Sequence, residues 1–104
     1  MVAQEILTIL SEFRKAVEKA GIRVSKIVLY GSQAERDIRK DSDIDVAVVS
    51  PDFGRDRFEE GVRLFELAYN VDPRIEPVPV SLELYETGSW LPLIYEIREK
   101  GISV

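Results

Sequence analysis

Two apolar runs rich in β-branched residues, RVSKIVLY (23–30) and DIDVAVV (43–49), are separated only by Gly31–Ser42. This spacing limits the fold more than any other feature of the chain. So compact an excursion permits antiparallel pairing, which sets the end of the first strand beside the start of the second. The second strand reaches the third, DPRIEPVPVS (72–81), through a long helical pattern over 55–70. That connection predicts a parallel, right-handed crossover. Pro77 and Pro79 stand two apart, so the sides that lack an N–H coincide. A side without donors cannot pair, which predicts an edge strand.

Helical periodicity covers the rest. Residues 2–20 place Ile6, Ile9, Leu10, Phe13, Val17 and Ala20 on one stripe, and Gly21 suits the helix end. SQAERDIRK after Gly31 reads as a short helix with Ser32 at its N-cap. In the 55–70 helix, Phe58, Val62, Phe65 and Tyr69 form a stripe, and Phe58 and Phe65 are expected in the core beside Phe13 and Val17. A last helix is expected over 89–100, beginning near Ser89 and ending at Gly101. Trp90 and Tyr95 on it read equally as core or as an exposed partner patch. The layout is an α/β (α+β) chain, a small mixed three- to four-stranded sheet flanked by about four helices. At 104 residues a single domain over 1–104 is expected, with little room for a separate recognition module.

Composition narrows the chemistry. The chain has no Cys and no His. That excludes thiol nucleophiles, disulfides, imidazole acid–base work and the usual zinc sites. A metal here needs oxygen ligands, which points to Mg²⁺ or Mn²⁺. A formal charge of −5 argues against direct nucleic-acid binding through the phosphate backbone. Residues 1–20 carry Glu, Arg and Lys throughout, so no signal peptide is expected. No run is apolar enough to span a membrane, and a cytoplasmic location is expected.

The residues around the short excursion suggest a site. Asp43 and Asp45 are two apart on a strand, so both project to one face while Ile44, Val46 and Val48 take the other. Side-by-side carboxylates repel, and a divalent cation removes the repulsion. Antiparallel pairing brings Gly31 and Ser32 to the same sheet end. Glu76, early in a parallel third strand, falls there too, on the face of Val78 and Val80. Gly31 allows close backbone approach, and a helix start after it offers free N–H groups for phosphate. Arg36, Arg39 and Lys40 read as a solvated helix face from which some side chains reach phosphate. A phosphate cradle facing metal-binding carboxylates suits nucleotidyl transfer.

The stretch GSQAERDIRKDSDIDVAVV resembles the signature of the polymerase-beta-like nucleotidyltransferase superfamily, in which Gly-Ser is followed by Ser-Asp-(Ile/Leu)-Asp and a hydrophobic strand. The whole chain, from its leading helix through KIVLYGS, SDIDVAVV and the closing YEIREKGISV, is similar to the minimal nucleotidyltransferases. The resemblance implies that Gly31 and Ser32 hold the triphosphate, and Arg36 and Ser42 are expected with them on the nucleotide side. It implies that Asp43 and Asp45 bind the metals, with Glu76 as the third carboxylate and Asp72 as the weaker candidate. It further implies ATP as substrate, an AMP group as the cargo, and Mg²⁺ or Mn²⁺ as cofactor. The expected partner is a HEPN-domain toxin, neutralised by modification of a tyrosine; a homodimer is the other expected assembly. Two alternatives remain: a subunit that masks such a partner without catalysis, and a regulatory nucleotide-binding domain. The chain departs from the family's Gly-Ser-Arg-Ala-Arg-Gly at Gln33, Glu35 and Arg36, which weakens phosphate attraction at the loop.

Overall fold

The first helix, α1 (Gln4–Lys19), forms where the apolar residues recur at helical spacing, and Ile6, Leu10, Phe13 and Val17 are all buried. The chain then turns through Gly21 into β1 (Lys26–Tyr30). We describe residues 2–31 and 43–104 of the computed structural model. The short helix expected after Gly31 lies outside the described residues. The chain resumes at Asp43 and enters β2 (Ile44–Ser50).

β1 and β2 pair antiparallel, with Tyr30 opposite Asp45. β2 and β3 (Ile75–Ser81) pair parallel, with Asp45 opposite Glu76. Both directions follow the lengths of the connections. The order in the sheet is β3-β2-β1-β4, so the strand with two prolines lies at an edge, as their spacing predicts. The Ile44 N–H donates to the Arg74 carbonyl at 2.8 Å. Backbone groups alternate sides along a strand, so Arg74, Glu76, Val78 and Val80 face β2 while Pro77 and Pro79 face outward.

Helix α2 (Arg57–Val71) links β2 to β3. Its N-cap is Asp56, whose side chain accepts from the Glu59 N–H at 3.1 Å. Glu60 reaches back to accept from the N–H groups of Gly54, Arg55 and Asp56. Here the expected core stripe is corrected. Phe58 is 77% exposed and Tyr69 65%, with Val62 and Phe65 also exposed. Leu64 and Ala68 are buried instead, with Leu67 and Val71 packed beside them. The helix carries two apolar stripes, and periodicity weights both alike. The inward one ends in the small Ala68, and Gly61 brings the backbone against Pro79, where a β-carbon would lie 4.0 Å from the proline ring.

The second face of the sheet takes α3 (Leu82–Thr87) and α4 (Pro92–Lys100). The Ser81 hydroxyl caps α3 by accepting from the Leu84 N–H at 3.1 Å. Six residues are too few for periodicity to reveal α3. The last helix starts at Pro92 rather than near Ser89, since proline suits the first turn. Trp90 and Tyr95 resolve to the surface, at 77% and 52% exposed. Gly101 ends α4, and β4 (Ile102–Ser103) adds to β1 antiparallel.

Two cores result. Ile27, Leu29, Ile44, Val46, Val48 and Ile75 pack with α1 and α2. Val28, Ala47, Val49 and Val80 pack with Ile94 and Ile97 of α4. Each fully buried side chain of this kind contributes about 1.5–3 kcal/mol. Among the described residues no helix is long and apolar enough to cross a membrane.

Candidate active site

The antiparallel and parallel pairings meet at one row. Tyr30, Asp45 and Glu76 are neighbours across β1, β2 and β3, and residues directly opposite in a sheet share a face. That face is the one α4 covers, because Val28, Ala47 and Val80 on it pack with Ile94 and Ile97. For Asp45 the partition read from the sequence therefore holds. Ile44, Val46 and Val48 fill the core under α1 and α2, and Asp45 points the other way.

Gly31 ends β1 at this row with a φ of 71°. A β-carbon placed there would lie 2.6 Å from Asp45 Oδ2. Glycine is thus required twice, once by the left-handed backbone and once by the carboxylate that fills the space. The sequence reading placed Gly31 beside a ligand; the structure places it against Asp45. Ser32, Arg36 and Ser42, the other expected nucleotide-binding residues, lie outside the described residues.

Asp45 is half-buried and Asp43, just ahead of β2, is exposed. Burial pushes the Asp45 carboxyl above its ordinary value, and the charges of Asp43 and Glu96 push it the same way. Tyr30 is pushed up to about 12, first by burial and then by Asp45, Glu96 and Glu76. The sheet end is thus a crowded negative site. This like-charge crowding is what a divalent cation relieves, and the hard-oxygen donor set suits Mg²⁺ or Mn²⁺. The donor chemistry fits such an ion, while among the described residues no three acidic side chains converge as a ready-made metal cage.

Glu76 is exposed and in register with Asp45. Asp72, the weaker candidate, is engaged elsewhere. Its carboxylate accepts from the Arg74 backbone N–H at 2.8 Å and pairs with the Arg74 guanidinium at 3.0 Å. Those hydrogen bonds hold it below the usual carboxylate range. Arg74 also reaches Glu5 of α1 at 3.3 Å.

Sequence reasoning missed Tyr30 and Glu96. The first was accessible in principle, because an antiparallel register that starts from Gly31 sets Tyr30 against Asp45. The second had no local signal: Glu96 meets Asp45 only because Ile94 and Ile97 dock α4 on the sheet. A separate pocket of about 460 Å³, lined by Pro51, Phe53, Gly54, Ser81, Glu83 and Glu86, opens at the other end of β2 and β3. The length of β2 separates it from the carboxylates by roughly 20 Å.

Residues 10–102 match the family model of the nucleotidyltransferase domain. No curated protein matches the chain.

Proposed function

The chain belongs to the nucleotidyltransferase domain family, and from that premise we propose that it transfers AMP from ATP to a hydroxyl presented by a protein partner, the hydroxyl oxygen replacing pyrophosphate on the α-phosphorus and its proton passing to solvent. The acceptor in this reading is a tyrosine of a HEPN-domain toxin, and the protein is the antitoxin that silences it. The observation that carries the reading is the register that sets Asp45 between Tyr30 and Glu76, with Gly31 packed on the Asp45 carboxylate.

In this reading Asp43 and Asp45 hold Mg²⁺ or Mn²⁺, with Glu76 as the third carboxylate. A bound ion would supply positive charge that lowers the repulsion at the attacked phosphorus. The chain's own residues do the rest. Gly31 lets the backbone close on the carboxylate row, and Ser32, Arg36 and Ser42 take the triphosphate. α4 shields the inner side of the row through Ile94 and Ile97.

A second reading, a masking subunit without catalysis, draws on the lack of a three-carboxylate metal cluster among the described residues and on the apolar face that α2 exposes. One experiment separates them. The protein is incubated with labelled ATP, Mg²⁺ and a candidate HEPN partner, and intact mass is read for an added AMP. The catalytic reading expects the adduct with wild type and its loss in Asp43→Ala/Asp45→Ala. Adduct formation that survives in the double variant overturns it. Toxin neutralisation with no adduct from wild type favours the masking subunit.

A further inference from the structure

The exposed stripe of α2 has a regular spacing. Phe58, Val62, Phe65 and Tyr69 follow one another at intervals of four, three and four residues, the seam spacing of helices that pack side by side. All four are exposed. The seam continues past Pro79 into a groove of about 330 Å³ lined by Phe58, Val78, Pro79, Leu84 and Leu93, with Arg57 at its rim on the β3 side. A contiguous apolar face of this kind marks a docking surface.

Its occupant can be narrowed. An added strand is excluded, because Pro77 and Pro79 leave the outer edge of β3 without the donors that β-addition needs. The 4-3-4 spacing matches a helix. A second copy of this chain fits poorly on charge. Exposed Glu59 and Glu66 follow Phe58 and Phe65 along the flank that faces away from β3, while Arg63 between them turns its guanidinium to the Ala20 carbonyl after α1. In an antiparallel copy-on-copy packing the two copies' Glu59 and Glu66 come together, and each copy carries −5. A helix with lysine or arginine beside its apolar stripe meets these acids instead.

The seam also has a direction. α2 carries the chain from the Ser50 end of β2 back to the Ile75 end of β3. Tyr69 therefore lies toward the sheet end that holds Asp45 and Glu76, and Phe58 toward the other. We propose that the α2 seam docks an amphipathic helix of a different protein, flanked by basic residues, and so holds that protein with its acceptor at the carboxylate row. This deepens the transferase reading and rests on it for the role of the docked partner, though not for the docking itself.

The test uses two fluorescein-labelled helical peptides with leucine at the seam spacing, one flanked by lysine and one by glutamate, read by fluorescence anisotropy. The lysine-flanked peptide is expected to bind wild type at least tenfold more tightly than the glutamate-flanked one. Phe65→Asp and Val62→Asp should each abolish binding, while circular dichroism melting shows that the variants fold. Glu59→Lys/Glu66→Lys should reverse the preference. Failure of the lysine-flanked peptide to bind, equal binding of both peptides, or a sedimenting dimer that Phe65→Asp dissociates overturns the proposal. Asp43→Ala/Asp45→Ala should bind the peptide as wild type does, so loss of AMP transfer and loss of docking are read separately.

Discussion

The carboxylate of Asp45 occupies the space that a β-carbon on Gly31 would need, with Oδ2 2.6 Å from that position. The end of β1 and the start of β2 are therefore fitted to each other, in addition to being hydrogen-bonded. Gly31→Ala is expected to destabilise the fold by about 2 kcal/mol, from the left-handed backbone and the clash together. In an Asp45→Gly background the same change should lose only the backbone part. Chemical denaturation of the four proteins in a double-mutant cycle checks this, and additive effects would remove the fit.

Asp45 should trade stability against function. Burial and the charges of Asp43 and Glu96 raise its pKa in the fold. Its ionised form is thus less favourable folded than unfolded. Wild type should gain stability as pH falls from neutral through that raised value toward the ordinary carboxylate range. Asp45→Asn should melt a few degrees higher than wild type at neutral pH, about 0.5 kcal/mol after allowing for solvent screening, and lose that pH dependence. Added Mg²⁺ should raise the wild-type melting temperature and leave Asp43→Asn/Asp45→Asn unmoved. Calorimetry across pH, with and without the ion, reads all three outcomes.

Glu76 and Asp72 should separate by role. Glu76→Ala is expected to reduce AMP transfer by about a hundredfold or more while leaving the melting temperature nearly unchanged, because the side chain is exposed. Asp72→Ala should leave the transfer rate within a few-fold of wild type. Rate and melting curves on the same preparations decide, and a reversed pattern would make Asp72 the third carboxylate.

Asp72 should instead govern acid sensitivity. Its hydrogen bonds to Arg74 lower its pKa in the fold. The stability from this pair is present above the ordinary carboxylate value and is lost as pH falls through the lowered one. Asp72→Asn should cost about 1 kcal/mol at neutral pH and narrow the gap to wild type in acid. Denaturant titrations at neutral and acidic pH show whether the two curves converge.

The two aromatic stripes should respond differently to truncation. Phe13→Ala removes a wholly buried ring and should destabilise by about 3–5 kcal/mol. Phe65→Ala lies on an exposed face and should stay within about 0.5 kcal/mol. Equal losses in urea unfolding would restore Phe65 to the core.

Much of the fold was legible because the signals are local. The short excursion between the first two strands predicts their antiparallel pairing. The intervening helix predicts the parallel one, and Pro77 and Pro79 predict the edge. The same arithmetic sets Asp45 against Glu76. What it missed has physical causes. α3 and β4 are too short for a period to show. α2 has two apolar stripes, and only packing on the sheet decides that Ala68 goes in and Phe65 stays out. Of the candidate site, the gathering of Gly31, Asp45 and Glu76 at one sheet end was readable from spacing, and the charge of Glu96 beside Asp45 was not.

The sequence by itself determined strand directions, the turning of Asp45 away from the core of Ile44, Val46 and Val48, and side-chain chemistry without thiol or imidazole. These depend on period, chain length and residue chemistry, which need no tertiary contact. Only the tertiary structure decided that Gly31 yields its β-carbon space to Asp45, that Glu96 adds its charge to that row, and that Asp72 belongs to Arg74. It also decided that the Phe58–Tyr69 seam faces outward. The first follows from the β1–β2 pairing, the second from α4 docking on the sheet, the third from the local turn into β3, and the last from how α2 docks on the opposite face.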